Sequence, residues 1–436
     1  MCVSQPDLSQ LFRVFGRIGL ISFGGPAGQI ALMHRELVEE RQWVEEGAFL
    51  RALNVCHLLP GPEAQQLATW IGWRMHGTIG GLIAGLLFVL PGSAIMLGLS
   101  MLYAFAADLK PVAALFLGIK AAVLAIVVQA LIRIARRALD SGFKRALALA
   151  AFLALFLFNL PFPLVVLGSA AIGFLLARLR PDWLHAHGKA AGDTPVGPLP
   201  WRATLRSIAI WIAIWAAPML AILLTLGPDH ILWKIGAFFS QLAVVTFGGA
   251  YAVLAYMAQE AVQSMHWLSA GEMTDGLGLA ETTPGPLILV TQFVGFLGAF
   301  RAPAPFTPLV AGMLGALVTL WVTFAPCFLW IFSVAPWMER LERAPRLQGA
   351  LAALTAAIVG VIGNLTVWFA LHVLFTRGAR VAIGPVRLWW PDWTSIDGRI
   401  AAIALGAALL IFVAKRGVMT VLAICAVAGL AVSGLA

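Results

Sequence analysis

The chain reads as an all-α polytopic membrane protein. Two homologous repeats of inverted topology, with broken or re-entrant helices, supply about 10–13 membrane segments. Three observations lead there. Of 436 residues, 61% are hydrophobic and only 11% are Asp, Glu, Lys or Arg, whereas soluble domains carry about 25% charge. The 43 glycines, 24 prolines and 16 tryptophans are residue types that membrane helices and their interfaces take up readily. Finally, the sequence repeats itself. The composition excludes a cytosolic enzyme, a secreted disulfide scaffold and a disordered chain. The longest polar stretch, Arg178–Arg206, is too short for a soluble domain.

The net charge of +9 does not point to nucleic acid. The basic residues sit in short clusters between apolar runs, as cytoplasmic loops of membrane proteins do. Cys2, Cys56, Cys327 and Cys425 have no metal or redox spacing and read as small packing residues. The opening residues MCVSQPDLSQ lack a basic n-region and a small-residue cleavage site, so no removable signal peptide is expected.

Residues 23–62 align with 247–286 without a gap at an offset of 224, and 13 of the 40 positions are identical. The anchors are Phe23-Gly24-Gly25 with Phe247-Gly248-Gly249, Glu36 with Glu260, Trp43 with Trp267, and Pro60-Gly61-Pro62 with Pro284-Gly285-Pro286. Gly47 with Gly271 and Leu53 with Leu277 extend the register, and Gly80 and Pro91 match Gly315 and Pro326 after an eleven-residue insertion. Two tripeptides in register are beyond what shared apolar composition produces. Residues 1–180 form the first repeat, 181–230 a linker with one extra span, and 231–436 the second repeat.

Orientation follows from Lys and Arg. Arg133, Arg136, Arg137, Lys144 and Arg145 crowd one short stretch, which places it in the cytoplasm. The 111–132 span then starts outside near Asp108-Lys110, and the 78–103 span runs outward. Residues 146–178, broken at Asn159-Leu-Pro-Phe-Pro163, read as a hairpin of two short spans. The 207–226 span ends outside at Gly227-Pro228-Asp229-His230. The counterpart of 78–103, the 309–334 span, is followed by Arg340, Arg343 and Arg346 and therefore ends inside. Spans at 347–372, 399–414 and 417–435 complete the chain, with Lys415-Arg416 inside. The second repeat is thus inverted, and inverted repeats place a substrate site where they meet near mid-membrane.

The matched segments carry helix breaks. Paired glycines in FGGP and FGGA follow apolar runs and precede more polar helices with Glu36 or Glu260. Each PGP starts a short helix, Glu63-Ala-Gln-Gln onward and Leu287-Ile-Leu-Val onward, with proline where a missing N–H does no harm. Such starts expose amides and a positive dipole end suited to an anion. The competing reading is a set of tight turns packed between helices.

These segments, FGGPAGQIALMHRELVEERQWV, LPGPEAQQLATWIGW, FGGAYAVLAYM and TTPGPLILVTQFVGF, resemble the signatures of the chromate ion transporter family in its long, two-domain form. The resemblance covers nearly the whole chain. It implies a bacterial inner-membrane protein that exports chromate and confers chromate resistance, with sulfate as the similar competitor. The residues alone reach an anion-compatible inverted-repeat transporter. The expected substrate-binding set is Phe23, Gly24, Gly25, Pro60, Gly61, Pro62, Gln66, Lys120, Phe247, Gly248, Gly249, Pro284, Gly285, Pro286 and Gln292. His57, Glu63, Glu281, Glu36 and Glu260 are candidates for proton or charge coupling. The expected partners are chromate, sulfate, the bilayer and, as a homodimer, a second copy. No nucleic acid, cofactor or metal is expected.

Each polar candidate has a plainer role beside the functional one. Lys120 either neutralises the anion at membrane depth or snorkels from a helix that starts late. Glu63, His57 and Glu281 either carry protons or cap helices. Glu36 and Glu260 have charged neighbours that suit a solvated face, and Trp43 and Trp267 suit the membrane interface. Gln66, Gln129, Gln292, Asn159 and Asn364 either hold an oxyanion or glue helices together. His185-Ala-His187 is too sparse for a metal.

The chain has no GxxxxGK[ST] loop for ATP. A rival of another class, an intramembrane enzyme on lipid phosphates, lacks any HExxH, GxSxG or acidic metal cluster. The inversion has a direct check. Cysteines introduced at Arg136 and Arg343 are expected to label from the cytoplasmic side and a tag after Ala436 from the periplasm; labelling of the two arginine positions from opposite sides would overturn the inversion.

Overall fold

The computed structural model describes residues 6–107, 109–179, 183, 201–247, 250–338 and 344–434. Helix α1 (Leu8–Ile21) starts with a capping box, in which Asp7 and Gln10 bond each other's backbone N–H. It buries Leu11, Phe15 and Ile18, one helical stripe. After the FGG break come α2 (Gly25–His34), a π-helical segment Arg35–Glu40, and α3 (Glu46–Cys56). Helix α4 (Glu63–Ala106) is folded in two, because His76 and Gly77 (φ +58°) leave helical space. Its arms, 63–75 and 78–106, are the expected short helix and span. They press together at Gly72 and Gly80, where a Cβ on either would run into the other's carbonyl.

Helix α5 (Lys110–Ala138) begins at Lys110-Pro111 and ends with Arg136 and Arg137 in its last turn, where cations suit the helix dipole. The expected hairpin follows as α6 (Gly142–Phe156) and α7 (Phe162–Leu179). Its break is held at Asn159, which takes a left-handed φ of +46°. The extra span is α8 (Trp201–Leu226), and α9 (Ile231–Val245) leads to the second FGG. Next are α10 (Ala250–Met257), a second π-helical segment Ala258–Ser264, and α11 (Ala270–Thr282). After the second PGP, a short 3-10 turn leads into α12 (Val290–Arg301), followed by α13 (Pro308–Val334) and α14 (Pro345–Leu374). The chain ends in α15 (Gly398–Phe412) and α16 (Val418–Gly434).

Three features are absent from the sequence reading. An antiparallel hairpin, β1 (Gly378–Ile383) with β2 (Val386–Pro391), joins α14 to α15, pairing Ala379 with Trp390 and Val381 with Leu388. Beside it, the Thr394 hydroxyl and N–H hold the Asp392 carboxyl below the usual carboxylate range. The π-helical segments sit at matched positions of the repeat. In each, a tryptophan N–H reaches back six residues, Trp43 to Leu37 O and Trp267 to Ala261 O, both at 2.8 Å. Trp267 is 8% exposed, whereas Trp43 is half-buried.

Among the described residues, six helices are long and apolar enough to cross a membrane, and four shorter apolar helices accompany them. The chain is an all-α polytopic membrane protein. It forms two compact units, each drawing on both halves of the sequence. One holds α1–α3, most of α4, α8, α9, α12 and α13. The other holds the end of α4, α5–α7, α10, α11, α14, the β-hairpin, α15 and α16. In the second unit α5 crosses α16 at Gly118, whose Cβ would run into the Cys425 carbonyl, and α14 crosses α6 at Gly360 in the same way. Such close crossings by small residues are how membrane helices gain packing energy without a hydrophobic drive between them.

Replacing Gly80 by leucine must force the two arms of α4 apart, a cost of about 1–3 kcal/mol. Unfolding of detergent-purified protein followed by near-UV circular dichroism is expected to shift to lower temperature in Gly80→Leu. Gly98→Ala, where a Cβ meets nothing within 4 Å, should leave it unchanged or slightly raised.

Candidate functional site

Both PGP turns and the described parts of both FGG segments lie in the first unit; Gly248 and Gly249 fall outside the described residues. Each PGP needs its central glycine for conformation, with φ of +111° at Gly61 and +95° at Gly285. The two turns clasp the opposite half of the sequence. Gly61 N–H donates to Thr246 O at 3.1 Å, and Gly285 N–H donates to Ser22 O at 2.9 Å. Ser22 and Thr246 are the residues just before the two FGG tripeptides, and they are themselves a matched pair of the repeat. The next contacts are matched too. A Cβ on Gly61 would lie 3.0 Å from Cys327 Sγ, directly after Pro326 of α13. A Cβ on Gly285 would lie 3.5 Å from Gly92 Cα, directly after Pro91 of α4.

Glutamines fill the spaces around this clasp. Gln29 Nε2 donates to Gly285 O at 2.5 Å and to Ser22 O at 3.3 Å. Gln66 Nε2 donates to Pro60 O at 2.7 Å, and Gln292 Nε2 donates to Ser93 O at 3.2 Å. All three, with Gln65, Thr69 and Ser22, are buried. The side-chain oxygens of Gln29, Gln65, Gln66 and Gln292 and the Ser22 hydroxyl have no hydrogen-bond partner. Buried polar atoms without partners are rare in folded proteins and call for a ligand, water or proton. Gln66 and Gln292 therefore glue backbone with their amide nitrogens while holding a second polar atom in reserve.

Helix α4 starts directly after Pro62 with Glu63, whose Oε2 lies 3.0 Å from His57 Nδ1. The pair caps the first PGP helix at its positive end. The second PGP helix has the apolar Leu287 at that position. In the first FGG, Gly24 (φ +89°) and Gly25 (φ +67°) are both left-handed, and a Cβ on either meets nothing within 4 Å. Glycine is demanded there by φ, with open space beside it. Phe23 is exposed, and Phe247 is half-buried.

Glu36 does not lie on a solvated face. The π-helical segment turns it inward to 1% exposure, where Arg41 bonds it and Arg17 stands at 3.7 Å. Its counterpart Glu260, in the second unit, is half-buried. The solvated charges of the first segment are instead Glu39, Glu40 and Glu46, tied to His34 and Arg35.

The remaining candidates lie in the second unit. Lys120 is ten residues into α5, which starts at Lys110 and not later, so it stands about 15 Å along the helix. Its Nζ lies 3.1 Å from Asp275 Oδ2. Tyr103 donates to the same oxygen at 2.8 Å. Glu281, 5% exposed, accepts from the Tyr251 hydroxyl at 2.9 Å, with Arg133 acting on it electrostatically. Gln259 of the second π-helical segment pins the α6–α7 break: its Oε1 accepts from Phe162 N–H at 3.1 Å and its Nε2 donates to Leu160 O at 3.0 Å. Asn159, Gln259, Gln263 and Asn364 line a small cavity of about 20 Å³ beside it.

Sequence reading missed Asp275, Tyr103 and Tyr251. One signal was available: Asp275 aligns with Arg51, a charge reversal between the halves in a segment otherwise rich in glycine and leucine.

The clasp is backbone to backbone, which sets the outcome of mutation. Gly61→Ala and Gly285→Ala are expected to lose about 1–3 kcal/mol each from the strained φ, read as lower melting temperature. Thr246→Val keeps the carbonyl that Gly61 uses and removes only the hydroxyl bond to Leu242 O, so it should cost at most about 1 kcal/mol.

The sequence model of the chromate transporter family matches residues 9–174 and 233–430. The chromate transport protein of Pseudomonas aeruginosa is 31% identical over 386 residues, covering 86% of this chain and 84% of that protein. The chromate transport protein of Cupriavidus metallidurans is 28% identical over 372 residues, 83% of this chain and 82% of its own. A probable chromate transport protein of Synechococcus elongatus is 28% identical over 361 residues, 83% and 84% of the two chains. No solved structure matches. The helix breaks that form the clasp fall inside the matched residues, and the chain belongs to the chromate transporter family.

Proposed function

We propose that this protein is a secondary transporter, not an enzyme, which carries chromate out of the cytoplasm across the bacterial inner membrane and so gives chromate resistance. Membership of the chromate transporter family over most of the chain carries this reading. In the proposed orientation the N-terminus is cytoplasmic and the C-terminus periplasmic, and residues 1–180 and 231–436 act as inverted repeats on either side of a linker and extra span. Chromate is a tetrahedral dianion, so sulfate competes for the same site.

The proposed binding site is the clasp of the two PGP turns with the two FGG segments. Its surroundings are neutral and polar, and beside Gly24 and Gly25 there is open space against the backbone. Amides and dipole ends stabilise an oxyanion without several buried full charges, which would be costly at membrane depth. The energy source need be nothing more than the membrane potential. One charge crossing 100 mV is worth about 2.3 kcal/mol, so a departing dianion gains about 4.6 kcal/mol per 100 mV from a negative interior.

Chromate flux in proteoliposomes, with membrane potential and pH gradient imposed separately, tests the reading. Potential-dependent chromate movement, inhibited by excess sulfate, is the expected outcome. Chromate counterflow should occur without any chemical product. Gly25→Val and Gly249→Val are expected to abolish binding to folded, purified protein, and Gln66→Ala or Gln292→Ala to weaken it. Wild-type affinity in both valine variants would remove the clasp as the site.

A further inference from the structure

Within the second unit, α11 packs against α5 at Gly278, where a Cβ would run into the Ile119 side chain. This contact brings the neighbouring Lys120 to Asp275. The aspartate is 2% exposed, and the lysine side chain is 26% exposed. Both donors to Asp275, the Lys120 ammonium at 3.1 Å and the Tyr103 hydroxyl at 2.8 Å, use Oδ2. Oδ1 is buried and has no hydrogen-bond partner.

A buried ion pair that serves only structure gains most when every lone pair is satisfied, because two desolvated charges barely repay their cost otherwise. Here one carboxylate oxygen receives everything and the other nothing. The bare oxygen is suited to one small guest, a proton. The lysine, in contrast, keeps part of its surface open and can exchange one anion for another. The other charged or titratable groups on the surrounding elements are few. Glu272 lies on α11 itself, and Glu260 on the π-helical segment before it. Helix α5 adds Arg133 on the side of Glu281, and Lys110, Arg136 and Arg137 in its end turns. Helix α14 contributes Arg346 and His372 in its first and last turns, and α16 only Cys425.

We propose that Lys120 is shared between Asp275 and the transported oxyanion, and that Asp275 takes up a proton on Oδ1 when the lysine turns to the anion. The proposal rests on the reading of this chain as a divalent-oxyanion transporter and adds to it a charged station in the second unit. The balance is simple. With no anion, lysine and aspartate neutralise each other. With a dianion on the lysine, one proton from solvent converts the carboxylate to the acid, and the site carries one net negative charge instead of two. Oxyanion binding and proton uptake then favour each other, as linkage requires.

The test is calorimetry of chromate binding to the purified full chain at pH 8, in two buffers of different ionisation heat, so that protons taken up per chromate are counted. Mildly alkaline pH keeps free chromate doubly charged. Wild type is expected to take up protons on binding. Asp275→Asn should take up none and bind chromate about tenfold more tightly, because the lysine has lost its competitor. Lys120→Met should bind chromate more weakly and take up no protons, and Lys120→Arg should keep part of the affinity. Lys120→Met with Asp275→Asn removes the buried pair together, so it should fold as wild type and bind weakly without proton uptake. Unchanged proton uptake in Asp275→Asn, or weaker binding by it, overturns the shared lysine and leaves the transport reading standing. Absence of chromate binding to wild type overturns both.

Discussion

Backbone amides and carbonyls inside a bilayer have no water to turn to, and every break in a membrane helix must find partners within the protein. In this chain the breaks supply one another. The glycine N–H of each PGP turn bonds the carbonyl just ahead of the other half's FGG segment, at 3.1 and 2.9 Å. Without that exchange, the two PGP amides would be stranded, each at a cost of several kcal/mol. The arrangement of α1, α4, α9, α12 and α13 around the turns depends on it. So does the need for small residues after Pro91 and Pro326, where the passing helices come against the turns.

The two units handle polarity in different ways. Around the clasp the buried polar groups are neutral: carboxamides, hydroxyls and main chain. The charged groups near it are the partly exposed His57–Glu63 pair and Glu36, which is buried against its two arginines. In the second unit ionisable side chains are buried, Asp275 against Lys120 and Glu281 against the Tyr251 hydroxyl. Neutral dipoles can be dehydrated and rehydrated cheaply as an ion passes, whereas a buried charge is expensive unless another charge or a proton answers it. A transporter of a dianion has use for both kinds of surroundings.

The π-helical segments join local sequence to this arrangement. Widening the turn at Arg35–Glu40 and Ala258–Ser264 moves the following side chains by part of a turn. Within these segments Glu36 lies buried against its arginines and Gln259 bonds the broken ends of α6 and α7. An α-helical reading of the same residues puts Glu36 among Arg35, Glu39 and Glu40 on a wet face, which is why the sequence suggested solvation there.

The sequence by itself determined the class of protein, the helix breaks and the repeat. Apolar runs, paired glycines and PGP tripeptides act over a few residues, so spans such as 309–334 and 347–372 and the broken hairpin at Asn159 are legible in one dimension. The family signatures are equally local, and they were enough to point to chromate. Only the tertiary structure decided which half's PGP meets which half's FGG, since residues 61 and 246 or 22 and 285 are joined by packing and not by spacing. It also decided that Lys120 faces Asp275 instead of snorkelling. An aspartate in a glycine-rich helix carries no periodic signal, and its partner is selected by where α11 crosses α5. That crossing is set by a missing side chain at Gly278, a contact that no local pattern encodes.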